Sequence, residues 1–426
     1  MSSIQSRINA FVALGNFLSQ FSSKKIEKSS TVLFNELFFD GFIHQIKLAE
    51  EQNSWFTKEA ILFSLDNWTS ALTHENLNQW ISNENVVDNF DRQTILENVT
   101  DNIILPAFDD FNPKIAQLKE SITQFSISTT LANLETVQEL WVDAYKSWQH
   151  LEMFNIAKAE ELYFLQKMNT YPTSVSRIEN NINTNNYNLD SNNNNWSAQG
   201  FPALDYLLFG LADTNSETLI FYQNDENLAY LNYLQAVASQ MLQVTDMVHQ
   251  DWILIRDVFV TSSENSATSS LNMLTNDFIY YFEKGLRTNK FGIPAGVFSG
   301  NNTRAANVEA YYNSTISKTL ALEAIEAVEG FFIGQTYNST STGESLKSYL
   351  DYMTDNTTLS STVLMKFSDS KLLINTLDDN FVNQIVLNNE LMIDVFNKLQ
   401  EGVVLLKTDM LSVLSISVDY IDADGD

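Results

Sequence analysis

Cysteine is absent from all 426 residues. That excludes disulfide bonds, thiolate nucleophiles, thiolate-held zinc, iron–sulfur clusters and the lipid-modified cysteine of a bacterial lipoprotein. Proline and glycine are scarce, at 5 and 13 residues. A sheet-rich fold needs more turn punctuation, so long helices are expected. Basic residues are in deficit as well: 24 Lys and Arg face 53 Asp and Glu, a formal net charge of -29. Such a field repels phosphate backbones and anionic membranes and attracts cations or basic partners, which argues against nucleic-acid binding. By itself this acidity reads as a soluble, self-repelling surface rather than a metal site. No window holds the roughly 18 consecutive apolar residues of a membrane span. The first residues carry Arg7 and a pattern broken by Asn9, Asn16 and Gln20, and they do not read as a signal peptide.

Histidine is also rare, and its placement is uninformative. The four are His44, His74, His150 and His249. None belongs to HExxH or lies at helical spacing from another, so a zincin-type peptidase site is not encoded. His74-Glu75 and His150-Leu151-Glu152 read as ordinary surface or core histidines. No G-x-S-x-G, Walker or dinucleotide-binding glycine pattern occurs. The acidic end Asp419-Tyr420-Ile421-Asp422-Ala423-Asp424-Gly425-Asp426 spaces acids as a calcium loop begins, but lacks the later bidentate acid. It reads as a solvated terminus.

What is present is apolar periodicity. With 44% hydrophobic and 12% aromatic residues the chain can bury substantial cores, in two or three domains. Ile61, Leu65, Trp68 and Leu72 fall on one helical face, with Thr57 placed to cap it. Phe108, Phe111, Ile115, Leu118, Ile122 and Phe125 form a longer stripe, with Pro106 and Pro113 each suited to a first turn. Leu140, Trp141, Ala144, Tyr145, Trp148, Leu151 and Phe154 follow at the same period. The Asn-rich tract Ile178 to Gln199 lacks that period and reads as a long loop of the kind that wraps a site. Helices are expected at Glu226 to Val260, Leu271 to Lys284, Asn307 to Phe332, Glu344 to Met353 and Asp379 to Leu414. Gly200-Phe201-Pro202-Ala203 and Gly292-Ile293-Pro294-Ala295 repeat one pattern and hint at two related halves.

Several stretches, in order, resemble the imelysin-like family of bacterial cell-envelope proteins, also classed as M75 peptidases. They are Asn102 to Phe108 with Asp110-Phe111, Trp141 to Phe154, Gly200 to Gly210, Gly292 to Gly296, Val308 to Tyr312 with Ser314, Gly343 to Leu346 before Tyr349-Leu350, and Leu406 to Met410. The resemblance covers about residues 97 to 426. It implies an all-α fold of two packed helical bundles, with divisions expected at 96–265 and 266–426, and a functional site near their interface. It also implies a cell-envelope location, in the periplasm or at the surface, and a link to iron uptake beside an older attribution of proteolysis.

The family's signature, Gly-x-His-x-x-Glu, sets an imidazole and a carboxylate one helical turn apart as a plausible metal-ligand pair. Here Gly200 matches, the His position is Pro202 and the Glu position is Asp205. Proline has no donor to give a metal, and Asp reaches one methylene less than Glu. The expected function is a non-catalytic metal-binding or ligand-binding module with a degenerate motif; the alternative is an M75-type metallopeptidase. Iron or another divalent cation is the expected cofactor, held by Asp205 and Glu309, with Gly200 and Pro202 beside them. The expected partners are a metal ion, an iron-bearing ligand or another envelope protein. Residues 1 to 95 form a separate, small helical segment. Through FFDGFIHQIKLAEEQNSWFTKEAILFSL it resembles the N-terminal part of long-chain acyl-CoA reductases, whose nucleotide-binding domain and catalytic Cys are missing here.

Overall fold

In the computed structural model, residues 4–21, 41, 44–46, 48–49, 58–77, 88–190, 193–224 and 227–418 are described. Thr57, most of the FFDGFIHQ stretch and the acidic end from Asp419 lie outside them. The chain divides into two compact units, Met1–Asn89 and Phe90–Asp426.

In the first unit, helix α1 (Ile4–Leu18) packs on α2 (Lys58–Ala71). Ile8, Leu72 and Leu77 are buried together with Val12 against them. Gly15 permits the close crossing, since a Cβ there would lie 2.7 Å from the Leu72 carbonyl oxygen. One expectation fails in this unit: Trp68 is 61% exposed. The buried stripe is narrower than the sequence suggests, and the indole lies outside it.

The second unit is all helical, and among its described residues the one pairing of extended backbone is an isolated bridge between Gln335 and Thr342. Its first bundle is built on α3 (Leu105–Ile127), which packs against α4 (Leu131–Trp148) and, later in the chain, a 34-residue helix. Between them run α5 (Phe164–Asn169), α6 (Val175–Thr184) and α7 (Gly200–Phe209), followed by that long helix, α8 (Leu228–Thr261). The predicted α3 stripe is entirely buried, and Trp141, Tyr145 and Trp148 of α4 complete that core. Tyr145 stacks flat on Phe201 at 4.3 Å between ring centroids. Pro113 lies inside α3 rather than in a first turn. The carbonyl it deprives of a partner belongs to exposed Asp109, where water can substitute.

The second bundle begins with α9 (Ser270–Tyr280), which widens into a π-helical segment, Tyr281–Gly292. The amide of Ile293 donates to the Thr288 carbonyl five residues back, as a π-turn requires. Three further helices, α10 (Ser317–Ile333), α11 (Thr358–Asn375) and α12 (Glu390–Val404), pack successively, and the π-helical segment packs on α12. One continuous core runs from Ile95 to Ile416 through both bundles. No helix among the described residues is long and apolar enough to cross a membrane.

Three helix expectations need correction. The Asn-rich tract contains helix from Val175 to Thr184, because Ser174 caps it and Ile178 and Ile182 bury one turn apart. The span Asn307 to Ile316 is irregular, with short 3-10 turns and Ala310 at φ 56°, and α10 starts only at Ser317. The region expected as one helix from Asp379 to Leu414 is divided at Asn389 and again by a π-turn at Leu405–Met410. The two Gly-x-Pro-Ala pieces also differ in role: one opens α7, the other closes the π-segment.

Phe111 touches the core from both sides, with ring centroids 5.8 Å from Trp148 and 6.3 Å from Phe201. Phe111→Ala is expected to lower stability by about 3–5 kcal/mol, read as a lower urea midpoint at unchanged slope.

Candidate functional site

The four residues singled out from the sequence all lie in one region, but they do different work. Gly200 opens α7 at φ 71°, and a Cβ there would fall 2.2 Å from the Met168 carbonyl oxygen. Its requirement is therefore steric: α7 enters against the backbone of α5 where no side chain fits. Pro202 and Asp205 follow on α7 and help line a small cavity of about 70 Å³ with Tyr171, Ala310 and Tyr312.

Asp205 is 2% exposed. Its Oδ2 accepts from the Tyr312 amide at 2.8 Å, and its Oδ1 accepts from the Asn313 amide at 2.9 Å. Those amides are thereby withdrawn from helix formation, which explains the irregular approach to α10. Burial pushes the Asp205 carboxyl from 3.8 up to about 7, against the lowering effect of the two amide bonds. The acid acts as a staple between α7 of the first bundle and the loop leading into α10.

Glu309 is found in a different arrangement, one with little sign in the sequence. Its Oε2 is paired with the Lys290 ammonium, and its Oε1 accepts from Asn169 Nδ2 at 2.8 Å and Gln149 Nε2 at 3.2 Å. Lys290 also donates to Gln149 Oε1 at 2.7 Å and lies 3.7 Å from Glu152 Oε2. Glu152 in turn accepts from Asn169 at 2.6 Å and from the Tyr281 hydroxyl at 3.0 Å. Tyr145 closes the network by donating to Asn169 Oδ1. Two buried carboxylates thus share one ammonium. Burial raises the Glu152 carboxyl above its ordinary value; Lys290 opposes this and Glu309 reinforces it.

Sequence reasoning misses Glu152, Lys290, Gln149 and Asn169 as site residues. Glu152 stands beside His150 in a stretch that reads as structural, and Lys290 is one cation ahead of a glycine-proline turn. Only long-range packing assembles them. His150 itself turns the other way, with Nε2 3.0 Å from Glu323 Oε2.

Beside this network opens a cavity of about 660 Å³, with Glu152, Asp277, Lys284, Tyr171, Tyr280 and Tyr281 among its walls. The π-helical segment supplies much of one side, and Gly285 is needed there because a Cβ would lie 2.5 Å from the Tyr281 ring. A second cavity of about 670 Å³ is lined by His150, Glu323 and Tyr337. Near it Ser147 Oγ donates to Asp110 Oδ2 at 2.7 Å, so this hydroxyl is held by a carboxylate rather than by an imidazole. Burial acts to raise Asp110, but bonds from Lys114, Ser147 and Tyr337 outweigh it and hold the carboxyl below its ordinary value.

The residues present do not fit a metal at the signature positions. Pro202 offers no lone pair, both Asp205 oxygens accept backbone amides, and Glu309 already has the Lys290 ammonium as its counter-ion. Among the described residues no group of three or more His, Asp or Glu is arranged to hold a metal ion.

A family model for imelysin, peptidase M75, matches residues 104–407. Among solved structures, a chain from Parabacteroides distasonis ATCC 8503, designated an iron-regulated protein A precursor, is similar at TM-score 0.63 and 16% identity. The alignment covers 75% of this chain and 95% of that one. An imelysin-like protein from Psychrobacter arcticum 273-4 is similar at TM-score 0.62 and 15% identity, over 78% of this chain and 97% of that one. At these identities the likeness is one of fold. No functionally curated protein matches the chain.

Two outcomes follow from this geometry. Lys290→Met leaves two buried carboxylates without their cation and is expected to lower stability by about 3–5 kcal/mol in urea unfolding. Asp205 gives a pH effect of definite sign. Because its folded value lies above 3.8, its favourable contribution is full below about pH 4 and is lost as pH rises through about 7. Wild-type stability should therefore fall more between about pH 5 and pH 8 than that of Asp205→Asn; equal pH dependence of the two would contradict this assignment.

Proposed function

The chain belongs to the imelysin family, whose model matches residues 104–407, and we propose that it serves as a non-catalytic ligand-binding module of the cell envelope, associated with iron uptake. The observation that carries this reading is the state of the signature. Its imidazole position is a proline, and its carboxylate is committed to two backbone amides. A hydrolytic metal site needs a cation with an open position for water. Neither Asp205 nor Glu309 offers a face for one.

What the fold does offer is a half-open space of mixed polar and apolar lining. The cavity of about 660 Å³ has the size of a small-molecule site and is walled by aromatic and polar side chains together. Its wall at Glu152 is continuous with the Lys290 network, which fixes that side chain in place. We take this cavity as the ligand site, with an iron-bearing small molecule as the cargo suggested by the iron-regulated designation of a structural relative. Envelope location and iron association both come to this chain through its family.

Two measurements test the proposal. Purified protein incubated with unfolded casein, with and without chelator, is expected to leave it intact. Hydrogen exchange in the segment 277–293 is expected to slow when haem or ferric citrate is added. Chelator-sensitive cleavage that disappears in Asp205→Ala would establish the peptidase reading instead.

A further inference from the structure

Helix α8 carries an apolar surface that its own core does not use. Its inward face, which includes Val244, Val248 and Trp252, is buried, and the helix packs on α3. Outward, Met247, Leu254 and Val258 are 43%, 79% and 74% exposed. None of the three belongs to the core or to the partly buried residues packed on it. Their spacing of seven and then four residues sets them within about 40° of one another round the axis, on a ridge about 16 Å long. Scattered exposed apolar residues need no explanation, but three aligned on one regular helix make a seam of heptad spacing. The borders of this seam are acidic. Asp251 lies along one side, and Asp246 and Asp257 lie round the helix on the other. Arg256 is bound to both Asp101 and Asp257, and Lys158, within electrostatic reach of Asp251, is paired with Glu161. Each of these two cations thus serves two carboxylates. Asp246, which accepts from Asn112 at 2.8 Å, adds a further negative charge.

We infer that the Met247–Val258 face of α8 is a docking site for a basic amphipathic helix of a partner protein. Heptad spacing on a straight, narrow ridge is met by the same spacing on a second helix, whose apolar seam covers Met247, Leu254 and Val258. Lysines or arginines flanking that seam then face Asp246, Asp251 and Asp257. Charge decides between this occupant and the others. A second copy would bring the same acids together, on a chain whose net charge is already -29. Helices that lie on membranes carry Lys and Arg beside their apolar face, and here that place is held by Asp. The seam is short, so the contact belongs with small, transient interfaces and its affinity with the micromolar range. This inference is independent of the cavity and of the ligand reading built on it.

The test is fluorescence anisotropy on the full chain at about 0.15 M salt, where attraction between distant surface charges is largely screened. The probe is a labelled peptide of about three heptads with leucine at a and d and lysine, glutamine and alanine elsewhere. Its controls are the same composition in scrambled order and a version with glutamate in place of lysine. The basic amphipathic peptide is expected to bind saturably and to slow hydrogen exchange along α8, and both controls to bind at least about tenfold more weakly. Leu254→Gln together with Val258→Gln is expected to lower its affinity about tenfold at an unchanged thermal midpoint, because both side chains are exposed. Asp246→Asn together with Asp257→Asn should lower it about threefold and flatten its salt dependence. Leu372→Gln, at an exposed leucine of α11, is expected to change nothing. Equal binding of the scrambled peptide, unchanged affinity in the Leu254→Gln, Val258→Gln variant, or no binding of the amphipathic peptide would overturn the inference. A concentration-dependent dimer, or sedimentation with phosphatidylcholine or phosphatidylglycerol vesicles, that is lost in that variant would also overturn it, since each assigns the seam to another occupant.

Discussion

The structure depends on how Lys290 is placed. Its ammonium lies buried among Glu309, Gln149 and Glu152, and among the described residues it is the one cation within that network. Charges are taken out of water at a cost of several kcal/mol each, and the arrangement holds only if every partner is in position. Glu309 comes from the loop before α10, Gln149 and Glu152 from the end of α4, Asn169 from α5, and Lys290 from the π-helical segment. One ion pair therefore draws on both bundles. The π-helical segment Tyr281–Gly292 carries two members of this arrangement, with Lys290 buried against Glu309 and the Tyr281 hydroxyl donating to Glu152.

The altered signature is coherent with this arrangement. Gly200 survives because the backbone of α5 passes where its side chain would be, a requirement independent of any metal. Asp205 retains a carboxylate because two amides of the 308–313 loop need an acceptor. Pro202 sits where an imidazole would have faced the small cavity beside Asp205. Positive charge near the bundle junction is supplied by a side chain, and the ligand-sized space lies next to it rather than at the motif.

The periodic parts of this architecture are legible in the sequence. The α3 stripe from Phe108 to Phe125 and the aromatic face of α4 as far as Trp148 are read correctly, since large apolar residues at helical spacing have few other places to go, but the helix expected to carry Leu151 and Phe154 ends at Trp148 and those two are buried from the turns after it. Trp68 and the Val175–Thr184 helix fail for opposite reasons. An aromatic at the right spacing can lie outside a narrow stripe, and two isoleucines one turn apart suffice to bury a helix amid asparagines. Asp205 is recognisable by its place in the motif, but its role as a staple depends on a loop about a hundred residues later in the chain. The Glu152, Lys290 and Glu309 network is illegible because no local pattern links three residues from different elements. The π-helical widening has no compositional mark either.

Lys290 and Glu309 act as one buried unit in which the ammonium takes the place of a bound cation. A double-mutant cycle on urea stability, using Lys290→Met, Glu309→Gln and the pair, measures this directly. The double variant is expected to be less destabilised than the sum of the single variants by at least about 1.5 kcal/mol, since each single change strands a buried charge that the other removes. Additivity within about 0.5 kcal/mol would contradict it.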